Sequence, residues 1–213
     1  MLSKARGGRV ARVPKLSITQ DASEERFRSL VMDYLAPSPE HVKRAPLMFR
    51  ATLIIGPMGS GKTTFIQAKL GEVVERLLSS GVDETQICYV YAREAKLSQI
   101  VEAARQLDLQ KCLYLYVFND DAPVHHHGRR ALSKENVEES KFYIMIRHRL
   151  REHGFTGYLH AVHAAQVYHL IDVTFRRTAA LKLFKDYPDE PNDYKLIGAL
   201  VGDAGLQALL ELA

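Results

Sequence analysis

Residues 52–70 read TLIIGPMGSGKTTFIQAKL. An apolar run ends at Ile55, a glycine-rich turn follows, and from Lys62 onward apolar residues recur at helical spacing. Positions 56–63 fit G-x-x-x-x-G-K-[ST] at every fixed place, after a predicted strand and at the start of a predicted helix, which is the context the pattern requires. Glycines at 56, 59 and 61 let backbone N–H groups turn inward around an anion with no Cβ in the way, and the helix N-terminus adds partial positive charge. In such a loop Lys62 bridges the β and γ oxygens of a nucleoside triphosphate and the Thr63 hydroxyl ligates Mg²⁺. The candidate nucleotide contacts are Gly56, Pro57, Met58, Gly59, Ser60, Gly61, Lys62, Thr63 and Thr64.

Outward from this loop the chain alternates. Strands are predicted at FRATLIIG, ICYVYA, CLYLYVFND, TGYLHAVH and AALKLF, with helices between them at Lys62–Ser79, EAKLSQIVEAARQL and Ala131 to about His153. A short turn or helix is expected around AQVYHLIDVT, and a tail of one or two helices broken at Gly202. This rhythm predicts an α/β fold with a mainly parallel five-stranded sheet flanked by helices on both faces. Ahead of it DASEERFRSLVMDYLA reads as a helix that PSPE ends. The expected organisation is a basic arm at 1–20, an N-terminal helix and linker at 21–46, and the nucleotide-binding domain at 47–213.

Composition narrows the classes. With 213 residues, 46% of them hydrophobic, the chain can bury one full core. No apolar run approaches the roughly 18 residues of a membrane span, and no secretory h-region follows the first basic residues, so an intracellular protein is expected. Cys88 and Cys112 both fall in apolar runs and read as reduced, buried thiols. The net charge of +4 is concentrated: residues 1–20 hold Lys4, Arg6, Arg9, Arg12 and Lys15 without an acid, leaving 24 of the 29 basic residues against 25 acidic ones. An arm of this kind meets polyanions such as nucleic acid, or serves only as a solubilising leader.

A phosphate loop is shared by kinases, switches and motors, so a second site must select the chemistry. LYLYVFNDDA supplies an apolar strand that delivers Asp120 and Asp121 to its C-terminal end, the edge where parallel sheets bind ligands. Asp120 is placed to hold the water shell of Mg²⁺, and Asp121 to orient and deprotonate an attacking water. Gln166 follows a strand expected beside the loop strand, where its amide would reach the γ-phosphate. Arg147, in IRHRLREHG, and Arg176 and Arg177, in TFRRTA, are candidate arginine fingers or phosphate-backbone contacts; each alone is also an ordinary surface charge. His125, His126 and His127 are adjacent in a loop and lack completing ligands, so they read as loop rather than metal site. The tyrosines of YVYA and YLYVF read as core.

With these segments in order, the chain resembles the FtsK/HerA superfamily of P-loop ATPases, and within it the small genome-packaging ATPases of membrane-containing DNA viruses, including archaeal ones. The resemblance runs from about Leu47 to Phe184: GPMGSGKTT, then VFNDDAP where the family has a strand ending in Asp-Glu, IRHRLREHG, LHAVHAAQVYHLID with its strand ending at a sensor Gln, and FRRTAALKLF. It implies a fold of the additional-strand (ASCE) type and an ATPase that translocates double-stranded DNA with ATP and Mg²⁺ as cofactors. The implied assembly is a homo-oligomeric ring, often a hexamer, in which an arginine of one subunit completes its neighbour's site. Capsid or membrane-associated viral proteins are the further partners it implies, and host cytoplasm or virion the location. It also assigns Lys62, Thr63, Asp120, Asp121 and Gln166 their roles, with Asp121 standing where the family usually has Glu. The alternatives are a small-molecule kinase of nucleoside type, whose cysteine-bound zinc lobe two cysteines cannot build, and a non-hydrolysing ATP-binding assembly module.

Overall fold

In the computed structural model, which describes residues 20–93, 97–120, 145–171, 173–185 and 191–211, the apolar run ahead of the glycine loop is strand β1 (Met48–Ile55), and the helical run after it is α3 (Lys62–Ser79). Two helices precede them, α1 (Gln20–Leu35) and α2 (Pro39–Arg44). Ser38 caps α2 and Pro39 opens it, so the proline that stops one helix is followed by one that starts another. Beyond α3 come β2 (Ile87–Arg93), α4 (Leu97–Ala104), β3 (Tyr114–Asp120), a helix α5 described over 145–152, β4 (Tyr158–Ala165), α6 (Val173–Thr178), β5 (Leu181–Phe184) and α7 (Pro191–Glu211). α7 breaks where expected, at Gly202, whose φ of 73° is left-handed.

The five strands form one parallel sheet in the order β2-β3-β4-β1-β5. β3 and β4 are buried along their whole length, which is why their sequences run apolar without alternating. Helices cover both faces. One face packs Met32 and Leu35 of α1, Val42 of α2, and Ile66, Val73 and Leu77 of α3 against Ile54, Tyr116, Tyr158 and Val162. The other packs Ile100 of α4, Ile146 and Leu150 of α5, Phe175 of α6 and Ile197 of α7 against Leu53, Val117, Leu159 and Ala161. Among the described residues no helix is long and apolar enough to cross a membrane.

α1 docks by its C-terminal carbonyls, which lack intrahelical donors. Arg50 donates to Asp33 O (3.1 Å) and Tyr34 O (2.8 Å), Tyr158 OH to Tyr34 O (2.7 Å), Tyr116 OH to Leu35 O (2.9 Å) and Tyr114 OH to Pro37 O (2.7 Å). Core tyrosines thus bury their rings in the sheet and spend their hydroxyls on the incoming helix. Burial pushes the Tyr114 hydroxyl up to about 12, and those of Tyr116 and Tyr158 well above their ordinary range, so all three stay neutral donors.

Two expectations need correction. Cys88 and Cys112 are not free thiols: they form a disulfide, with Cα atoms 5.8 Å apart. The parallel crossover sets the starts of β2 and β3 side by side, with Ile87 opposite Tyr114, and Cys112 lies in the turn entering β3 rather than in the strand itself. Tyr89 and Tyr91 are not core either. β2 is an edge strand, and their face of it is left 59% and 46% exposed, whereas Tyr114, Tyr116 and Phe118 of β3 are buried.

Candidate active site

The glycine loop hangs between two strand ends. Gly56 N donates to Ala165 O at the end of β4 (3.1 Å), and Lys185 N, just past β5, donates to Ile55 O (2.7 Å). Gly59 and Gly61 have φ of 82° and 77°, conformations that a Cβ would strain, and Gly61 stands at the N-cap of α3. That cap has no side-chain hydrogen bond and no acid in the first turn, so the N–H groups of an 18-residue helix open onto the loop. Lys62 is 7% exposed and folds back over the loop, its Nζ donating to Gly56 O (2.8 Å) and Pro57 O (2.9 Å). Met58, by contrast, stands 82% exposed at the loop tip.

Across the sheet edge the loop meets the acid foreseen for it. Thr63 Oγ1 donates to Asp120 Oδ2 at 2.6 Å, spanning 57 residues of sequence and the width of β4. Asp120 is 1% exposed at the end of β3. A hydroxyl and a carboxylate meeting beside an uncapped helix N-terminus are hard oxygen donors of the kind that hold a partly hydrated Mg²⁺, and they fit that ion. Among the described residues no three His, Cys, Asp or Glu side chains are grouped so as to hold a metal ion by themselves.

The other expected residues are distributed unequally. Gln166 is exposed one residue beyond Ala165, so it stands beside the loop entrance, as the order of strands predicts. Asp121 and His125, His126 and His127 lie outside the described residues. Arg147 is exposed on α5. Arg176 and Arg177 close α6, immediately before β5: Arg176 lies half-buried with its guanidinium 5.5 Å from the Tyr168 ring centre, while Arg177 is exposed. Both line a groove of about 450 Å³ with Lys182, Leu196 and Leu200. Burial lowers the Lys182 ammonium below its usual range. No hydrogen bond ties Arg147, Arg176 or Arg177 to the glycine loop among the described residues.

Two neighbours of the site were missed in the sequence. Tyr91 OH donates to Asp120 Oδ2 at 2.9 Å, the same oxygen that receives Thr63. Lys185 lies against the loop's first residue, where a Cβ on Gly56 would meet Lys185 Cβ at 3.1 Å, and its ammonium sits 5.0 Å from the Phe65 ring centre in the first turn of α3. Both positions depend on which strand lies beside which, and the signal that could have found Tyr91 is the β2–β3 register placing it on the face of Asp120.

No protein-family model matches the sequence, and no curated protein matches it. Among solved structures the chain is similar to the genome-packaging NTPase B204 from Sulfolobus turreted icosahedral virus 2 in complex with ATP-gammaS, with 16% identity over 75% of this chain and 85% of that one and a TM-score of 0.49. It is similar to B204, the DNA-packaging ATPase from Sulfolobus turreted icosahedral virus, with 17% identity over 78% and 87% of the two chains and a TM-score of 0.48. PCH-2 from C. elegans aligns with 15% identity over 85% of this chain and 48% of that one, at a TM-score of 0.50. Identities this low speak to backbone architecture alone. With five parallel strands, a glycine loop between β1 and α3, and the acid strand β3 parted from β1 by β4, the chain has the fold of the P-loop NTPases, in the class with an additional strand between phosphate loop and acid.

Proposed function

We propose that this protein is an ATPase that hydrolyses ATP to move double-stranded DNA, as a viral genome-packaging motor acting in a ring of identical subunits in host cytoplasm or on the virion. The observation that carries the hydrolase half is the 2.6 Å contact between Thr63 and Asp120, which joins the phosphate loop to the acid strand beside an open helix N-terminus. The motor half rests on the order of motifs along the chain and on the basic residues at 1–20.

The proposed chemistry uses the described geometry of the phosphate loop and Asp120, and takes the role of Asp121 from the sequence. Backbone N–H groups at 59–63 and the α3 dipole receive the phosphates, and Lys62 turns from the Gly56 and Pro57 carbonyls to the β and γ oxygens. Thr63 and Asp120 would hold Mg²⁺, which when bound neutralises charge on the β and γ oxygens. Asp121 takes a proton from a water whose oxygen forms the new bond to the γ-phosphorus as the bond to the β-γ bridging oxygen breaks. Gln166, at the loop entrance, reports the γ-phosphate to the segment that follows β4. A neighbour's arginine reaches the developing charge; Arg177, exposed at the end of α6, is better disposed for that than Arg176, stacked on Tyr168.

ATP turnover with and without duplex DNA, over a range of salt, tests the reading. Expected are stimulation by DNA that falls steeply with salt, loss of nucleotide binding in Lys62→Ala, and retained binding with turnover reduced at least about a hundredfold in Asp121→Asn. Phosphorylation of an added nucleoside with no response to DNA would replace the motor by a kinase, and undiminished turnover in Asp121→Asn would remove that acid from its role.

A further inference from the structure

Asp120 Oδ2 accepts two hydroxyls, and only one of them belongs to the phosphate loop. Thr63 is the group that turns to the metal when Mg²⁺ and nucleotide arrive, so its bond to the carboxylate is the one that binding rearranges. Tyr91 stands apart from that exchange. It lies on β2, the sheet's outer strand, paired with Phe118 while Arg93 pairs with Asp120, and its ring therefore crosses diagonally to the carboxylate two residues further along β3. A tyrosine that served only to pack would bury its ring. This one leaves 46% of itself in solvent and puts its hydroxyl on a side chain that is 1% exposed. Tyr89, on the same face two residues earlier and 59% exposed, shows what that edge looks like without the contact.

We propose that Tyr91 is a positioning residue for the metal-site acid: its hydroxyl keeps the Asp120 carboxylate aimed at Thr63 while the Thr63 hydroxyl is given up to Mg²⁺. This rests on the nucleotide and Mg²⁺ reading of the site. A carboxylate at a strand end has two free torsions, and a donor that does not move when ligand binds removes the wrong rotamers in advance, so less of the binding free energy is spent on ordering the acid. The edge strand thereby holds one side of the reacting centre, although β3 and β4 stand between it and the loop strand β1.

The test is a Mg²⁺ titration of binding, read with a fluorescent non-hydrolysable ATP analogue, on wild type, Tyr91→Phe, Tyr89→Phe and Asp120→Asn. Removing one hydroxyl from a half-exposed ring leaves the fold intact, which thermal unfolding checks. Tyr91→Phe is expected to need about tenfold more Mg²⁺ for half-maximal binding, with affinity in EDTA unchanged and Tyr89→Phe indistinguishable from wild type. A wild-type Mg²⁺ midpoint in Tyr91→Phe, alongside a displaced one in Asp120→Asn, overturns the role of Tyr91 and leaves the site standing. Equal loss of affinity with Mg²⁺ and in EDTA overturns it in favour of a merely structural ring. Analogue binding that ignores Mg²⁺ in the wild type removes the reading of Thr63 and Asp120, and the proposal with it.

Discussion

His160 is fully buried in the middle of β4 with both ring nitrogens engaged. Tyr158 spends its single hydrogen on Tyr34 O, so its oxygen accepts from His160 Nδ1–H at 2.9 Å, and Nε2 accepts from Thr52 Oγ1 at 2.8 Å. Burial, aided by the Arg50 charge, lowers this imidazole to about 3, so the folded state needs it neutral. The unfolded chain protonates it near 6.5 and takes up the extra proton over the window from about 6.5 down to 3. Stability from this group is therefore complete above that window and falls as the pH falls through it, by about 2 kcal/mol between pH 7 and pH 5. Urea unfolding at pH 5, 6 and 7 is expected to show that decline in the wild type and a slope shallower by about one proton in His160→Gln; equal slopes would place the titration elsewhere. Residues differ sharply in how far the sequence betrays them. Thr63 is legible because its loop has fixed spacing, and Asp120 because an apolar strand must end where ligands bind. His160 and Tyr91 are not, because β4 is buried on both faces and carries no alternation to read, and because the partner of Tyr91 lies on another strand.

Helix α1 and strand β2 show the same limit one level up. The spacing of Phe27, Leu30, Val31, Tyr34 and Leu35 marks α1 as a helix, yet Phe27 and Leu30 are 58% and 60% exposed, and of the side chains described from residue 25 onward it is Val31, Met32, Tyr34 and Leu35 that pack on the sheet. Its docking is decided by donors from β1, β3 and β4, a matter of tertiary placement that local periodicity does not encode. The disulfide has the same origin. Cys88 and Cys112 are 24 residues apart and become neighbours only because the crossover through α4 returns the chain to the same end of the sheet. Closing a loop of that length restricts the unfolded chain by about 3.5 kcal/mol. Denaturant unfolding with and without reductant should show a loss of that order, with Cys88→Ala/Cys112→Ala matching the reduced wild type and insensitive to reductant. An unchanged midpoint on reduction would mean that the paired cysteines contribute no stability. The crossover is thus stapled at the base of β2, the strand whose far end carries Tyr91 to the acid.

The whole molecule presents its two kinds of charged chemistry at separate places. The phosphate loop opens at the C-terminal ends of β1 and β4, whereas Arg177 stands at the end of α6, where the chain turns into the start of β5. β5 pairs only with the C-terminal half of β1, Thr52–Ile55, and among the described residues no hydrogen bond ties Arg177 to the loop, so the catalytic role proposed for this arginine is one in a second copy. The alternation of strands and helices makes the sheet legible from the sequence; the neighbour's arginine that the proposed mechanism calls for is not, because nothing within one chain marks which surface would meet a second copy. Mixing two defective proteins tests the arrangement. Lys62→Ala loses the phosphate loop's cation and keeps Arg177, and Arg177→Ala keeps the loop and loses the arginine. If arginines act in trans, random co-assembly at equal amounts pairs an intact loop with an intact neighbouring arginine at about a quarter of the sites, and turnover reappears although each protein alone is inactive. On the same reading, turnover per subunit should also rise with protein concentration in the wild type, as the proposed ring would assemble. Mixtures that stay inactive at every ratio, from variants that still co-assemble by light scattering, would remove Arg177 from the neighbour's site and turn the search to Arg147 and Arg176.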